Sequence, residues 1–131
     1  MKKSAVSLFL VLLLVVSVLN VTAFAYSDHD YGVYRGKNYN ATLYVCKDYV
    51  RGNCTYAGGG EMTAIMRVTW FYAYDTTSAD TRVCYFTGSN GSINTPYSVQ
   101  DTSIVIRKAT ESFNVKSGTF GTICSLSAAS Y

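Results

Sequence analysis

The chain is predicted to be all-β: a small antiparallel β-sandwich, or a partly open barrel, of about six or seven strands held by disulfides. Three observations predict it. Apolar and polar side chains alternate with a period of two in several short runs, most clearly from Thr63 to Tyr74. Glycine, asparagine, aspartate and serine clusters separate those runs. Beyond residue 25, no stretch of a dozen residues carries a 3.6-residue apolar stripe.

The first element is an export signal. Met1-Lys2-Lys3 is a basic start, Ala5 to Leu19 an apolar run broken only by Ser7 and Ser17, and Ala23-Phe24-Ala25 a small-x-small cleavage pattern. The alternative is an uncleaved anchor, since Ala5 to Ala25 is long enough to span a bilayer. Asn20 and Thr22 interrupt its far end, and no basic cluster follows at once, so cleavage after residue 25 is expected. This divides the chain into a signal peptide, 1–25, and a single secreted β domain, 26–131, with no membrane span after cleavage. The short basic start has a bacterial character.

Along the domain, Gly32 to Arg35 and Ala41 to Cys46 read as strands, and Lys47 to Asn53 as a short excursion that contains a turn. Ala57-Gly58-Gly59-Gly60 leads into Thr63–Tyr74, whose even positions Ala64, Met66, Val68, Trp70, Tyr72 and Tyr74 form an apolar face that should bury Trp70. Twelve extended residues would span about 40 Å, so a bend or bulge is expected. Thr81 to Thr87 follows, closed by an Asn90-Gly91 turn, in which both residues readily take positive φ. Pro96 belongs in a connection or on a sheet edge. Ser103 to Lys108, Ser112 to Lys116 and Thr122 to Ala128 complete the series.

Export sets the cysteine chemistry. Outside a reducing cytosol, Cys46, Cys54, Cys84 and Cys124 are most simply two disulfides. Four cysteines allow three pairings, and Cys46–Cys54 with Cys84–Cys124 is preferred because the Lys47–Asn53 excursion would return the chain to its start. The spacing contains no Cys-x-x-Cys and the sequence only one histidine, so neither a zinc site nor a redox dithiol is expected. No metal or other cofactor is implied.

The formal charge of +3 drops by two with the loss of Lys2 and Lys3. A near-neutral domain lacks the basic face that nucleic-acid binding requires. Tyrosine is abundant, with 12 in the chain, and it pairs a flat apolar face with a hydrogen-bonding tip. Tyr31, Tyr34, Tyr39, Tyr44 and Tyr49, interleaved with Arg35 and Arg51, form the candidate binding surface. Tyr34, Tyr39, Tyr44 and Tyr49 recur every five residues, however, a step that alternates faces on an unbroken strand. A single platform would need a turn near Gly36 to Asn38.

Asp28-His29-Asp30 has metal-ligand chemistry, but neighbouring strand residues point to opposite sides and the trio is expected in a solvated tail. Asp48, Glu61, Asp75, Asp80, Asp101 and Glu111 could supply paired carboxylates for glycoside hydrolysis, yet each reads as a residue in or beside a turn. No catalytic residue is assigned; a small lysozyme-like hydrolase is the least implausible enzyme. Asn40-Ala41-Thr42, Asn53-Cys54-Thr55 and Asn90-Gly91-Ser92 match the glycosylation acceptor pattern, which carries no meaning in a bacterial host.

These features are read as a non-enzymatic extracellular module that binds a protein or cell-wall glycan through exposed aromatic residues. The alternatives are a secreted bacteriocin or toxin-like effector and a structural component of an extracellular layer, in which copies self-associate through strand edges.

Overall fold

A computed structural model describes residues 26–117 and 119–130; the expected signal peptide lies outside them. Strands β1 (Tyr26–Tyr34) and β2 (Lys37–Val45) form a hairpin closed by Arg35 and Gly36. Both turn residues have positive φ, 47° and 77°, the pairing that matches the right-handed twist of a two-residue hairpin. β3 (Tyr49–Tyr56) adds to β2, and the chain then crosses to a second sheet as β4 (Met62–Tyr72) and β5 (Asp75–Gly88). Asn90 and Gly91, with φ of 55° and 69°, turn it back into β6 (Ser92–Ser98) beside β3. β7 (Ile104–Ser117) returns beside β4, and β8 (Thr119–Ala129) finishes the second sheet.

The result is two four-stranded antiparallel sheets, ordered β1-β2-β3-β6 and β5-β4-β7-β8. The ladder does not close into a barrel, although β1 and β8 approach along one side, where Asp28 Oδ2 accepts from the Ser127 N–H at 2.9 Å. Among the described residues there is no helix. The core lies between the sheets, with Ala41, Leu43, Val45, Val50, Ile93 and Tyr56 facing Met62, Met66, Val68, Phe113, Val115 and Leu126. Alternation on each strand is what makes these faces: an apolar inward set and an Asn-, Ser- and Thr-rich outward set.

The all-β prediction holds, with eight strands where six or seven were expected. Lys47–Asn53 is not an excursion; most of it belongs to β3. The two strands expected at Ser103–Lys108 and Ser112–Lys116 are one continuous β7. Asp28-His29-Asp30 is not a tail but the middle of β1, paired with Leu43, Thr42 and Ala41. The expected irregularity in the long strand is present, as register shifts at Phe71/Tyr72 against β5 and at Thr69/Trp70 against β7. Pro96 sits on β6, an edge strand that tolerates a missing N–H.

Trp70 occupies the inward face of β4 but near the strand's end, where it is partly exposed rather than fully buried. Its indole Nε1 is shielded without a hydrogen-bond partner. Trp70→Ala is therefore expected to cost about 2 kcal/mol in denaturant unfolding, below the range of about 3–5 kcal/mol for a wholly buried tryptophan.

Candidate binding surface and buried polar cluster

Strand pairing arranges the outward face of the β1-β2-β3-β6 sheet into transverse rows. One row is Tyr31, Asn40, Thr55 and Ser92; the next is His29, Thr42, Asn53 and Asn94; the third is Ser27, Tyr44, Arg51 and Pro96. Aromatic rings stand at two ends of this array. His29 and Tyr31 stack at 5.5 Å between centroids, and Tyr44 and Tyr49 at 5.9 Å, both pairs within about 30° of parallel. Alongside them, across β2, β3 and β6, lie amides and hydroxyls, with Asn53 Nδ2 donating to Asn94 Oδ1 at 2.6 Å across the β3–β6 pair. The Tyr49 phenol hydrogen-bonds with the Cys46 thiol, and that bond, with smaller contributions from burial and Tyr44, raises its pKa to about 12. The hydroxyl is thus neutral across the physiological range, able to donate or accept.

The tyrosines expected to form one platform divide between two faces. Tyr31, 72 % exposed, Tyr44, Tyr49 and Arg51 are outward. Tyr34 and Tyr39 are inward and pack against the core. Tyr39 donates to Asp30 Oδ2 at 2.9 Å, and this hydrogen bond is the main cause of its raised pKa. Tyr34 meets Tyr56 edge-on, and its carbonyl accepts from the Tyr56 hydroxyl at 3.1 Å. Arg35 lies in the β1–β2 turn, with its guanidinium 5.2 Å from the centre of the Tyr34 ring. The Arg35-Gly36 turn comes between Tyr34 and Tyr39 and leaves both inward; the step from Tyr39 to Tyr44, within one strand, switches faces as the odd spacing requires.

A second cluster lies inside the sandwich. Glu111, in the interior of β7, points inward and is only 1 % exposed. Its neighbours on the flanking strands are Met66 and Leu126, and across the core it meets Gly52 and Thr95. A Cβ at position 52 would overlap Glu111 Oε2 and Thr95 Oγ1, so the carboxyl occupies the space that glycine leaves. Neither carboxylate oxygen nor the Thr95 hydroxyl has an aligned hydrogen-bond partner. Burial consequently raises the Glu111 pKa to about 7, and the nearby Thr95 hydroxyl offsets only part of that rise. This corrects the expectation that Glu111 borders a turn.

Next to Glu111 are two thiols from opposite sheets. Cys54 of β3 and Cys124 of β8 both face the core and lie within hydrogen-bonding reach of each other. The Cys54 thiol donates to the Thr55 carbonyl at 4.0 Å; the adjacent Cys124 thiol, with burial, pushes the Cys54 pKa up, while Cys54 favours ionisation at Cys124. All four cysteines carry free thiols in this structure, and the sheets are not stapled by a disulfide. Neither expected pairing is brought together. Cys46 N–H donates to Tyr49 O, which places Cys54 five residues, about 16 Å, further along β3. Cys84 and Cys124 lie on opposite edge strands of one sheet, three strand spacings or about 14 Å apart.

Asp28 and Asp30 point inward and His29 outward, so the trio does not converge on an ion. Among the described residues no group of three or more His, Cys, Asp or Glu is arranged to hold a metal. No described helix is long and apolar enough to cross a membrane. Comparison with protein-family models, with curated proteins and with solved structures finds no match for this chain.

Proposed function

We propose that the protein is a secreted, non-enzymatic module that binds a glycan on the outward face of the β1-β2-β3-β6 sheet. The observation that carries this reading is the array itself: amides and hydroxyls of Asn40, Thr42, Asn53, Thr55 and Asn94 on the same face as, and alongside, the Tyr44–Tyr49 and His29–Tyr31 ring pairs. Sugar rings offer apolar C–H faces and a rim of hydroxyls. Flat aromatic rings complement the first, and neutral amides and hydroxyls the second. Arg51 adds a forked donor at the Tyr44 end, suited to an acetamido carbonyl or a carboxylate on the glycan.

The strand edges count against a self-assembling layer. The β6 edge carries Pro96, and the long β5 edge carries Asp75, Asp80 and Arg82, residues that discourage pairing between copies.

The mature protein is expected to be retained on insoluble peptidoglycan, chitin or cellulose in a pull-down. Tyr44→Ala with Tyr49→Ala should reduce retention at least tenfold, whereas Tyr34→Phe, which alters an inward ring, should leave it unchanged. Equal retention of the Tyr44/Tyr49 variant and wild type, or no retention of either, would remove the proposal.

A further inference from the structure

We propose that Cys54 and Cys124 form a single cystine joining the two sheets, with Cys46 and Cys84 left outside it. Three observations support this modification site. First, β3 and β7 advance together across the core, from Lys47 beside Ile106 to Gly52 against Glu111. Two residues further on, Cys54 comes level with Phe113, the strand partner of Cys124, and both buried cysteines enter the same part of the core from facing sheets. Second, a local irregularity aims Cys124. The β7–β8 register shifts between Phe113 and Asn114, so Cys124 pairs with Phe113, Thr122 with Asn114, and Ile123 is the extra residue. Ile123 and Cys124 are then both buried, although consecutive strand residues ordinarily face opposite ways.

Third, the geometry separates the other thiols. Cys46 lies about 16 Å from the level of Cys54, as described above, and the same displacement removes it from Cys124. Lys47, next to Cys46, accepts from Ile106 N at 2.8 Å, whereas Cys84 pairs with Met66, which itself pairs with Glu111. Five residues of β7, again about 16 Å, separate those levels. A disulfide requires Cα atoms within about 7 Å. Cys46 and Cys84 therefore cannot complete a second bridge within this fold.

The oxidation is a two-electron thiol–disulfide exchange, and it rests on the chain meeting an oxidising compartment. The oxidant is the disulfide of an oxidoreductase, written R–S–S–R. The Cys124 thiolate attacks one sulfur of the oxidant, forming a mixed disulfide and expelling one thiolate. The Cys54 thiolate then attacks the Cys124 sulfur, forming the Cys54–Cys124 bond and releasing the second thiolate. The oxidant gains two electrons, and the two protons lost by Cys54 and Cys124 end on its thiols. Because Cys54 is wholly buried, this exchange precedes final closure of the sheets.

The test uses full-length protein exported by its host, alkylated without reductant and digested with trypsin. The expected product links the peptide Gly52–Arg67 to Ser117–Tyr131, with Cys46 and Cys84 alkylated. Reductant should lower the melting temperature by about 15 °C and have no effect on Cys54→Ala/Cys124→Ala. Alkylation of Cys54 and Cys124 before reduction, or a link from either to Cys46 or Cys84, would overturn the proposal. So would a melting temperature that reductant does not change. None of these outcomes depends on glycan retention, so the two proposals stand or fall separately.

Discussion

The unfolding free energy is expected to fall by about 3 kcal/mol as pH rises from 4.5 to 7, with Glu111 responsible. Below pH 4.5 its carboxyl is protonated in both the folded and the unfolded chain, and the two states take up protons equally. Between 4.5 and 7 the unfolded carboxyl ionises into water while the folded one stays neutral, so each pH unit costs about 1.4 kcal/mol. Above about 7 both forms are ionised and the loss levels off. The groups that face Glu111 do not add a competing charge over this range. Met66, Leu126, Thr95 and Gly52 are uncharged, and the proposed Cys54–Cys124 cystine has no thiol to ionise. Asp75 and Asp101 titrate on the other side of the window. Hydrogen bonds from Thr77 and Ser103 hold their pKa values below 3.8, and their contribution is lost as pH falls, not as it rises. Urea unfolding across pH 4–8 checks the expectation. Glu111→Gln, neutral at every pH, should flatten the curve. A slope that persists in that variant would assign the effect elsewhere.

The carboxyl that produces this pH dependence also explains why part of the fold was hard to read in the sequence. β4 was legible because its inward positions are apolar without a break from Met62 to Trp70. β7 has the same alternation, but Glu111 interrupts the inward set between Ala109 and Phe113. A polar residue at a core position makes one strand look like two. β3 was missed for a related reason: its inward positions are Val50, Gly52, Cys54 and Tyr56, and glycine does not register as an apolar step. Gly52 occupies its inward position because Glu111 fills the space opposite, so both failures have one structural cause.

The candidate surface was legible only to the extent that spacing within a strand decides it. The five-residue step made a single tyrosine platform doubtful, and the strands divide those residues accordingly. The rest depends on register between distant segments. Asn53 and Asn94 are 41 positions apart and meet only because β6 returns beside β3. The same holds for Cys54 and Cys124. No local pattern announces the extra residue that turns Ile123 and Cys124 inward together, and nothing in the short Cys46–Cys54 interval reveals that β3 carries its cysteine away from the turn.

Gly52→Ala is expected to destabilise the protein by about 3 kcal/mol, the upper end of what overpacking a filled core costs. Ordinarily Gly→Ala in a strand stabilises by about 0.4–1 kcal/mol through the unfolded chain; here the added methyl would overlap Glu111 Oε2 and Thr95 Oγ1. The carboxyl cannot readily yield, since Met66 and Leu126 flank it on the neighbouring strands and both are buried. Removing the carboxyl should relieve most of this cost. In a Glu111→Ala background the alanine at position 52 enters vacated space and meets only Thr95 Oγ1, and the second substitution should cost about 1 kcal/mol or less. The double-mutant cycle, measured by chemical denaturation, would then show coupling of about 2–3 kcal/mol between residues on different sheets. Additive effects would mean that the strand moves to admit the methyl. A large coupling would show that glycine at 52 and glutamate at 111 are retained as a pair, each tolerable in the core only because of the other.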